Sequence, residues 1–282
     1  MLAKMLVLLT TLMCVSCDNG GRMKTQPDLI FAGELLQLAH AITANDSDRI
    51  KALVKSGVNP NGYGKQGITP LLFAFGWGSK KAFNTLLEYG ADPNMPITAN
   101  DASPRLKNQS ATGFIAGAPD NDYLIMLLSH GANVDTKNVD GQPITVQMIF
   151  MDPPNYGGLR ILLDHGADIN ATDSGGGTLL TILGELRDFE QVYYLLTRGA
   201  DYRIKDGTGY GVDYHIYQEK IDPKAFPEAY AVQLKCQEFL RSRGVKDPGP
   251  MKPRTPQEIE DFDRLMRKAF DADRERRERE GQ

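Results

Sequence analysis

A glycine that keeps returning constrains this chain more than any other feature. Gly57-Val58-Asn59-Pro60-Asn61 recurs as Gly90-Ala91-Asp92-Pro93-Asn94, Gly131-Ala132-Asn133-Val134-Asp135 and Gly166-Ala167-Asp168-Ile169-Asn170, then in altered form as Gly199-Ala200-Asp201-Tyr202-Arg203. The glycines lie 33, 41, 35 and 33 residues apart. Self-similarity at this period marks a repeat architecture, in which one unit cannot bury its apolar face alone and must stack on its neighbours. Before each glycine runs an apolar stretch with helical period: Ile50, Leu53, Val54; Phe83, Leu86, Leu87; Leu124, Leu127, Leu128; Leu159, Leu162, Leu163; Val192, Leu195, Leu196. These predict helices that end where glycine turns the backbone left-handed. Asn or Asp two places later suits a tight turn, because its short side chain can bond the neighbouring backbone.

Thr69 and Thr178 stand 21 residues before Gly90 and Gly199. Thr69 offers an N-cap oxygen, and Pro70 needs no amide hydrogen at the first helical position. A unit of helix, turn, helix, glycine and hairpin carrying Thr69-Pro70-Leu71-Leu72 resembles the ankyrin repeat over about residues 31–247. The resemblance implies an all-α ankyrin-repeat solenoid of about six helix-turn-helix units with a C-terminal helix. Single copies drift: Ser110 and Pro143 sit near where Thr is expected, and Leu36 replaces it in the first copy. Val212 to Gly244 reads as a divergent capping pair of helices. The interval from Gly90 to Gly131 is eight residues longer than the 33-residue repeat, and 95–109 holds Pro96, Asn100, Asp101, Ser103, Pro104 and Asn108. That composition predicts an elongated hairpin finger, and long loops in compact repeats usually carry function.

The flanks differ from the repeats. Met5 to Met13 is an apolar run of nine residues after a singly positive start, far short of the ~20 residues of a membrane-spanning helix and of secretion-signal size. Ser16-Cys17, followed by Asp18-Asn19-Gly20-Gly21, resembles the lipobox of bacterial lipoproteins, with Cys14 where that family prefers Leu. The resemblance implies that residues 1–16 are a signal peptide, that Cys17 carries the lipid and that 17–30 form a flexible linker. It places the protein in the periplasm, anchored to the inner membrane if Asp18 follows the enteric sorting rule. A plain secretory signal, or translation from Met23, are the alternatives. Residues 248–282 begin as a proline linker. Thr255 and Glu258 then resemble a capping box before Ile259, Phe262, Leu265, Met266 and Phe270 at helical spacing. This amphipathic helix either docks on the last repeat or binds a separate partner.

Chemistry finds little purchase. Lys+Arg number 32 against 36 Asp+Glu, without the basic excess that binding to phosphates by counterion release demands, so nucleic acid is not expected. His130 and His165 each precede a helix-ending glycine, where a dipole and capping role explains them and no cysteine or carboxylate joins them at metal-ligand spacing. Gly175-Gly176-Gly177-Thr178 lacks the lysine of a phosphate-cradling loop. Cys236 lies on an apolar helical stretch and reads as core. The expectation is a protein with no catalytic residue, no metal and no cofactor, hence not an enzyme. A hydrolase or small-ligand binder would need a convergent pocket of polar groups.

Binding remains. In the ankyrin resemblance, hairpin tips and first-helix faces form a concave surface whose variable positions carry recognition. Matched to this chain, those positions are Lys65, Gln66, Ile68 and Trp77; Asn100, Asp101 and Arg105 of the finger; Val139, Asp140 and Gln142; Ser174 and Glu185; and Tyr210. Trp77 is the single tryptophan, and is read either as an interface anchor or as packing on the next repeat. Exported ankyrin proteins of this size resemble immunity proteins for antibacterial lipase effectors of type VI secretion. The expected function is therefore a membrane-anchored, monomeric binder that blocks a secreted lipase or phospholipase effector, without nucleic acid or small-molecule substrate. The alternative is a periplasmic scaffold that inhibits nothing.

Overall fold

The computed structural model describes residues 26–98, 110–118, 120–138, 141–249 and 264, with the side chain of Gln66 excepted. The expected signal peptide, Cys17, most of the expected linker, residues 99–109 of the expected 95–109 finger and nearly all of the expected C-terminal helix lie outside the described residues. The described chain is helical: α1 Pro27–Ile30, α2 Gly33–Thr43, α3 Ser47–Lys55, α4 Pro70–Trp77, α5 Lys80–Glu88, α6 Ala111–Ile115, α7 Asn121–Ser129, α8 Ile144–Ile149 and α9 Tyr156–Asp164, then α10 Leu179–Glu185, α11 Phe189–Thr197, α12 Val212–Gln218 and α13 Pro227–Arg241. It divides into two compact units, one ending at Ala167 and one beginning at Asp168. In the first unit, α3, α5, α7 and α9 pack successively; in the second, α10 packs on α12 and α11 on α13.

Caps set where the first helix of each pair begins. Thr69 Oγ1 accepts the Leu72 N–H at 3.3 Å, and Ser110 Oγ accepts that of Gly113 at 3.1 Å. Thr178 accepts the Thr181 N–H at 3.3 Å while Thr181 Oγ1 accepts that of Thr178 at 2.8 Å, a reciprocal box that satisfies two amides at once. Pro143 supplies no side-chain cap to α8. Leu36 lies inside α2, which starts at Gly33, so the first copy enters its helix earlier than the Thr register implies. Second helices carry caps that the sequence reading did not single out. Asp46, Ser79, Asp120, Asn155 and Asp188 each accept an amide from the first turn of α3, α5, α7, α9 and α11.

The recurring glycines do what their spacing implies. Gly57, Gly90, Gly131, Gly166 and Gly199 have φ of 107°, 94°, 83°, 90° and 92°. A Cβ at any of these five would meet nothing within 4 Å, so backbone conformation, not crowding, demands glycine. The next residue bonds back across the helix end: Ala91 N–H to Leu86 C=O at 2.9 Å, Ala132 to Leu127 at 3.1 Å, Ala167 to Leu162 at 3.0 Å and Ala200 to Leu195 at 3.1 Å. Two places after each glycine the short polar side chain closes its turn. Asn59, Asp92, Asn133, Asp168 and Asp201 accept the N–H two residues on at 2.8–3.0 Å.

A further polar position ties repeats together. Asn61 donates to the Gly90 carbonyl at 2.9 Å and accepts the Asp92 N–H at 2.8 Å; Asn94 does the same with Gly131 and Asn133, at 2.9 and 2.8 Å. In the second unit Asn170 accepts the Asp201 N–H at 2.8 Å. Hairpins then close on isolated antiparallel bridges, Pro96 with Ser110, Lys137 with Pro143, Thr172 with Thr178 and Lys205 with Gly211. The last three pairs are six residues apart and the first is fourteen. The whole eight-residue excess therefore sits inside one hairpin, beyond Pro96 and before Ser110, and leaves the helices in register.

Burial follows the apolar period. Phe83, Leu86, Leu124, Leu127, Leu159, Leu162, Val192 and Leu195 are at most 1% exposed. Leu86→Ala should cost about 2 to 5 kcal/mol of unfolding free energy, from lost burial plus a cavity. Gly90→Ala should cost about 1 to 2 kcal/mol through φ alone, because its methyl has open space. Urea denaturation followed by far-ultraviolet circular dichroism measures both.

Candidate protein-interaction surface

In the first unit, Trp77 is the last residue of α4 and half-buried. Its ring stacks on Phe73 of the same helix, with centroids 5.9 Å apart and planes at 29°; Phe73 in turn meets the edge of Phe31 at 5.3 Å. Trp77 is thus fixed from behind by its own helix, with part of its indole open. Lys65 is exposed on the 3-10 turn Lys65–Gly67, which also holds Gln66. Ile68 is 9% exposed and spends most of its surface on the core. The turn is immobilised from the next hairpin. Gly67 has φ +70° and lies so close to the Thr98 backbone that a Cβ would collide with it, while Tyr63 Oη donates to the Pro96 carbonyl at 2.7 Å. Burial, then the Asp92 carboxylate, raises the Tyr63 phenol.

Gln142 is half-buried in the hairpin between α7 and α8, where its N–H reaches Asn138 Oδ1 at 3.0 Å and its carbonyl accepts the Asn138 N–H at 2.8 Å. Asn100, Asp101, Arg105, Val139 and Asp140 lie outside the described residues. The structure adds aromatic groups that the sequence reading did not single out. Phe75 meets the edges of Phe114 at 6.2 Å and Tyr123 at 5.0 Å, and Phe150, capping α8, is 49% exposed. Phe114 continues the first-helix face at the register of Phe73, a signal present in the sequence. Lys80, its ammonium 5.8 Å from the Tyr123 ring centroid, lies between Asp120 at 2.7 Å and Asp122 at 2.5 Å. Hydrogen bonds to both carboxylates raise its ammonium, and the Lys80 bond holds Asp120 below the usual carboxylate range.

In the second unit, Ser174 and Glu185 are exposed and Tyr210 is half-buried, its ring 4.5 Å from that of Tyr214. The hairpin bearing Ser174 is pinned to the next one by the Gly207 N–H, which donates to the Gly175 carbonyl at 2.7 Å. The glycine run has no amide left for a phosphate. Asp173 Oδ1 accepts from Gly175 and Gly177 at 2.8 Å each, and its carbonyl accepts from Gly176 at 3.1 Å. Two histidines and a cysteine are similarly committed. His130 and His165 each donate Nδ1–H to the carbonyl four residues back, Met126 and Ile161, at 2.8 Å. The Cys236 thiol is fully buried, donates to the Phe189 carbonyl at 3.5 Å and is pushed up to about 12 by burial. Among the described residues no group of three His, Cys, Asp or Glu is placed to hold a metal ion, and no helix is long and apolar enough to cross a membrane.

Arg203 occupies the place of the ladder asparagine and grips Asp201 with both arms, Nε to Oδ1 at 2.8 Å and Nη2 to Oδ2 at 2.9 Å. That hydrogen bonding lowers the carboxyl from 3.8 to about 2. Because the folded value is depressed, the stabilisation is complete above about 4 and is lost as pH falls towards 2. Carboxyl-carbon NMR titration should show a midpoint near 2 for Asp201, moving up towards 3.8 in Arg203→Gln.

No family profile matches the chain. Human ankyrin repeat and SOCS box protein 6 is 31% identical over 142 residues, covering 46% of this chain and 31% of that protein. An ankyrin repeat protein of fowlpox virus (strain NVSL) is 39% identical over 59 residues, 21% of this chain and 14% of that one. The chain thus spans less than a third of the length of these curated relatives. Among solved structures, the ankyrin repeat protein EF0377 aligns with TM-score 0.53 and 21% identity over 72% of this chain and 99% of its own. An ankyrin repeat domain from Acinetobacter baumannii AYE aligns with TM-score 0.51 and 22% identity over 71% and 97%. At those identities the structures establish the fold alone, and it agrees with the glycine turns, the Thr and Ser caps and the asparagine ladder: the chain has the all-α ankyrin-repeat fold.

Proposed function

We propose that this chain is a lipid-anchored ankyrin-repeat protein of the bacterial envelope that binds a secreted lipase-type antibacterial effector and blocks it. Ankyrin-repeat folds serve in general as protein-interaction scaffolds. The observation that carries a binding role here is where the variation falls. Recurrent polar residues are consumed by turns, caps and the ladder, whereas the eight-residue insertion falls wholly within one hairpin, where stacking has no use for it. At the C-terminal end of α4, Trp77 is backed by the Phe73 ring, so an anchor there would lose little side-chain entropy on binding.

The reading of the anchor rests on Ser16-Cys17 after the Met5 to Met13 run, and the immunity role on resemblance to exported ankyrin proteins of this size. Inhibition would be steric. The insertion and the first-helix ends cover the entrance to the effector's active site, and no bond is made or broken. Lys65 and Gln142 extend the contact, with Asn100, Asp101 and Arg105 on the insertion; Ser174, Glu185 and Tyr210 hold the matching recognition positions of the second unit.

Affinity capture from membranes of the native cell, followed by mass spectrometry and a lipase assay, tests the proposal. A stoichiometric lipase whose turnover stops on binding is expected. Capture of a partner that keeps full activity would replace inhibition with scaffolding. Trp77→Ala should weaken that complex at least tenfold while leaving helicity unchanged, and Cys17→Ser should move the protein from the membrane to the soluble fraction.

A further inference from the structure

Among the described residues, α13 carries an apolar stripe beside its buried face that is covered only towards its C-terminal end, where Gln237 Nε2 donates to the Ile216 carbonyl at 3.2 Å. Phe226, Tyr230, Leu234, Gln237 and Arg241 follow at intervals of four, four, three and four residues, which keeps them on one stripe along α13. Phe226 is 64% and Leu234 40% exposed, whereas Gln233, Cys236 and Leu240, on the adjoining face, are at most 2% exposed and point into the repeat. At its C-terminal end the stripe opens into a groove of about 620 Å³ lined by Tyr217, Gln237, Arg241, Val245, Lys246 and Asp247. A terminal repeat that ends in water needs a polar outer face. A stripe led by Phe226 and Leu234 is not one.

The chain itself runs to this groove. Asp247, on its lip, accepts from Gln218 Nε2 at 3.1 Å and from the Gly249 N–H at 2.8 Å. Beyond Gly249 come 33 more residues, in which Ile259, Phe262, Leu265, Met266 and Phe270 recur at helical spacing. Arg264, described within that segment, is helical. Charge is ordered to match: Glu258, Glu260, Asp261 and Asp263 come early in the segment, and Arg241 and Lys246 flank the groove.

We propose that residues 255–270 dock as a helix, antiparallel, along the Phe226 to Arg241 stripe of α13 and cap the final repeat. Length favours this direction. The 15 residues of α13 span ~22 Å at ~1.5 Å each, and a 16-residue partner helix ~24 Å. From Gly249 to Thr255 the chain reaches ~20–22 Å fully extended, so a return to Phe226 would need a straight linker laid along the whole of α13, whereas a start beside Arg241 needs none. The second helix therefore starts beside Arg241, which brings its acidic first turns to Arg241 and Lys246 and sends Leu265, Met266 and Phe270 towards Leu234, Tyr230 and Phe226. A short tether also favours this occupant over a second copy, because it holds the segment at an effective concentration on the order of millimolar.

Hydrogen exchange read by mass spectrometry on the full chain tests the cap. Amides of residues 255–270 should exchange at least tenfold more slowly than in a free peptide of the same sequence. Leu234→Glu and Met266→Asp should each restore the free-peptide rate, with protection of α10 and α11 unchanged. Met266→Asp lies outside the repeats and cannot act by unfolding them. Arg241→Glu should reduce the protection and Arg241→Glu with Glu258→Arg should recover it. Free-peptide exchange in the unaltered chain, or protection that survives Met266→Asp, would overturn the proposal. Protection that grows with protein concentration alongside a doubled mass would give the stripe to a second copy, and protection appearing only with another protein present would give it to that partner. Either result contradicts the intramolecular cap.

Discussion

The left-handed turn at the end of each second helix is the constraint on which the rest depends. At Gly90 or Gly166 the chain must leave its helix with φ near 90°, and only glycine does so without cost. Once that reversal is made, the residue after it closes the helix end, Asp or Asn closes the following turn, and Asn61 or Asn94 passes two bonds to the next repeat. Each repeat is therefore finished by its neighbour. The apolar side chains stack because the polar groups at the reversal have already fixed the rise from one helix pair to the next.

That division of labour explains why polar residues recur without forming a reactive site. Asp92, Asp168 and Asp201 each give Oδ1 to the backbone amide two residues on, and Asp201 also holds the Arg203 guanidinium. His130 and His165 spend Nδ1–H on the last carbonyls of their helices, where partial negative charge accumulates. Asp173 takes the amides that an anion would need at the glycine run. Positions free to vary are the hairpin tips and the ends of the first helices, and there the chain places its insertion, its tryptophan and its exposed Phe150.

The fold was legible because its demands are local. A positive φ can be met by one residue type, a cap by a few, and an apolar stripe by a period, so Gly57 to Gly199, Thr69 and the Leu pairs announced themselves. The caps at Asp46, Ser79, Asp120, Asn155 and Asp188 were present in the sequence too, but those residue types are common enough that they gain meaning only once helix boundaries are known. The surface was less legible. Whether Ile68 faces a partner or the core depends on packing by the next hairpin, and only the structure places it at 9% exposure. Similarly, Trp77 leans on Phe73, four residues back in its own helix, where the sequence left an external anchor and inter-repeat packing equally open.

In the binding role we propose, first-helix ends and hairpin tips grip another polypeptide. The most direct test is a hydrogen-exchange footprint of the captured complex, compared with the free protein at matched concentration. New protection is expected at the C-terminal end of α4 and across the hairpin from Met95 to Ser110, with α5, α7 and α9 unchanged. Protection confined to those second helices, with the insertion exchanging as fast as before, would contradict it.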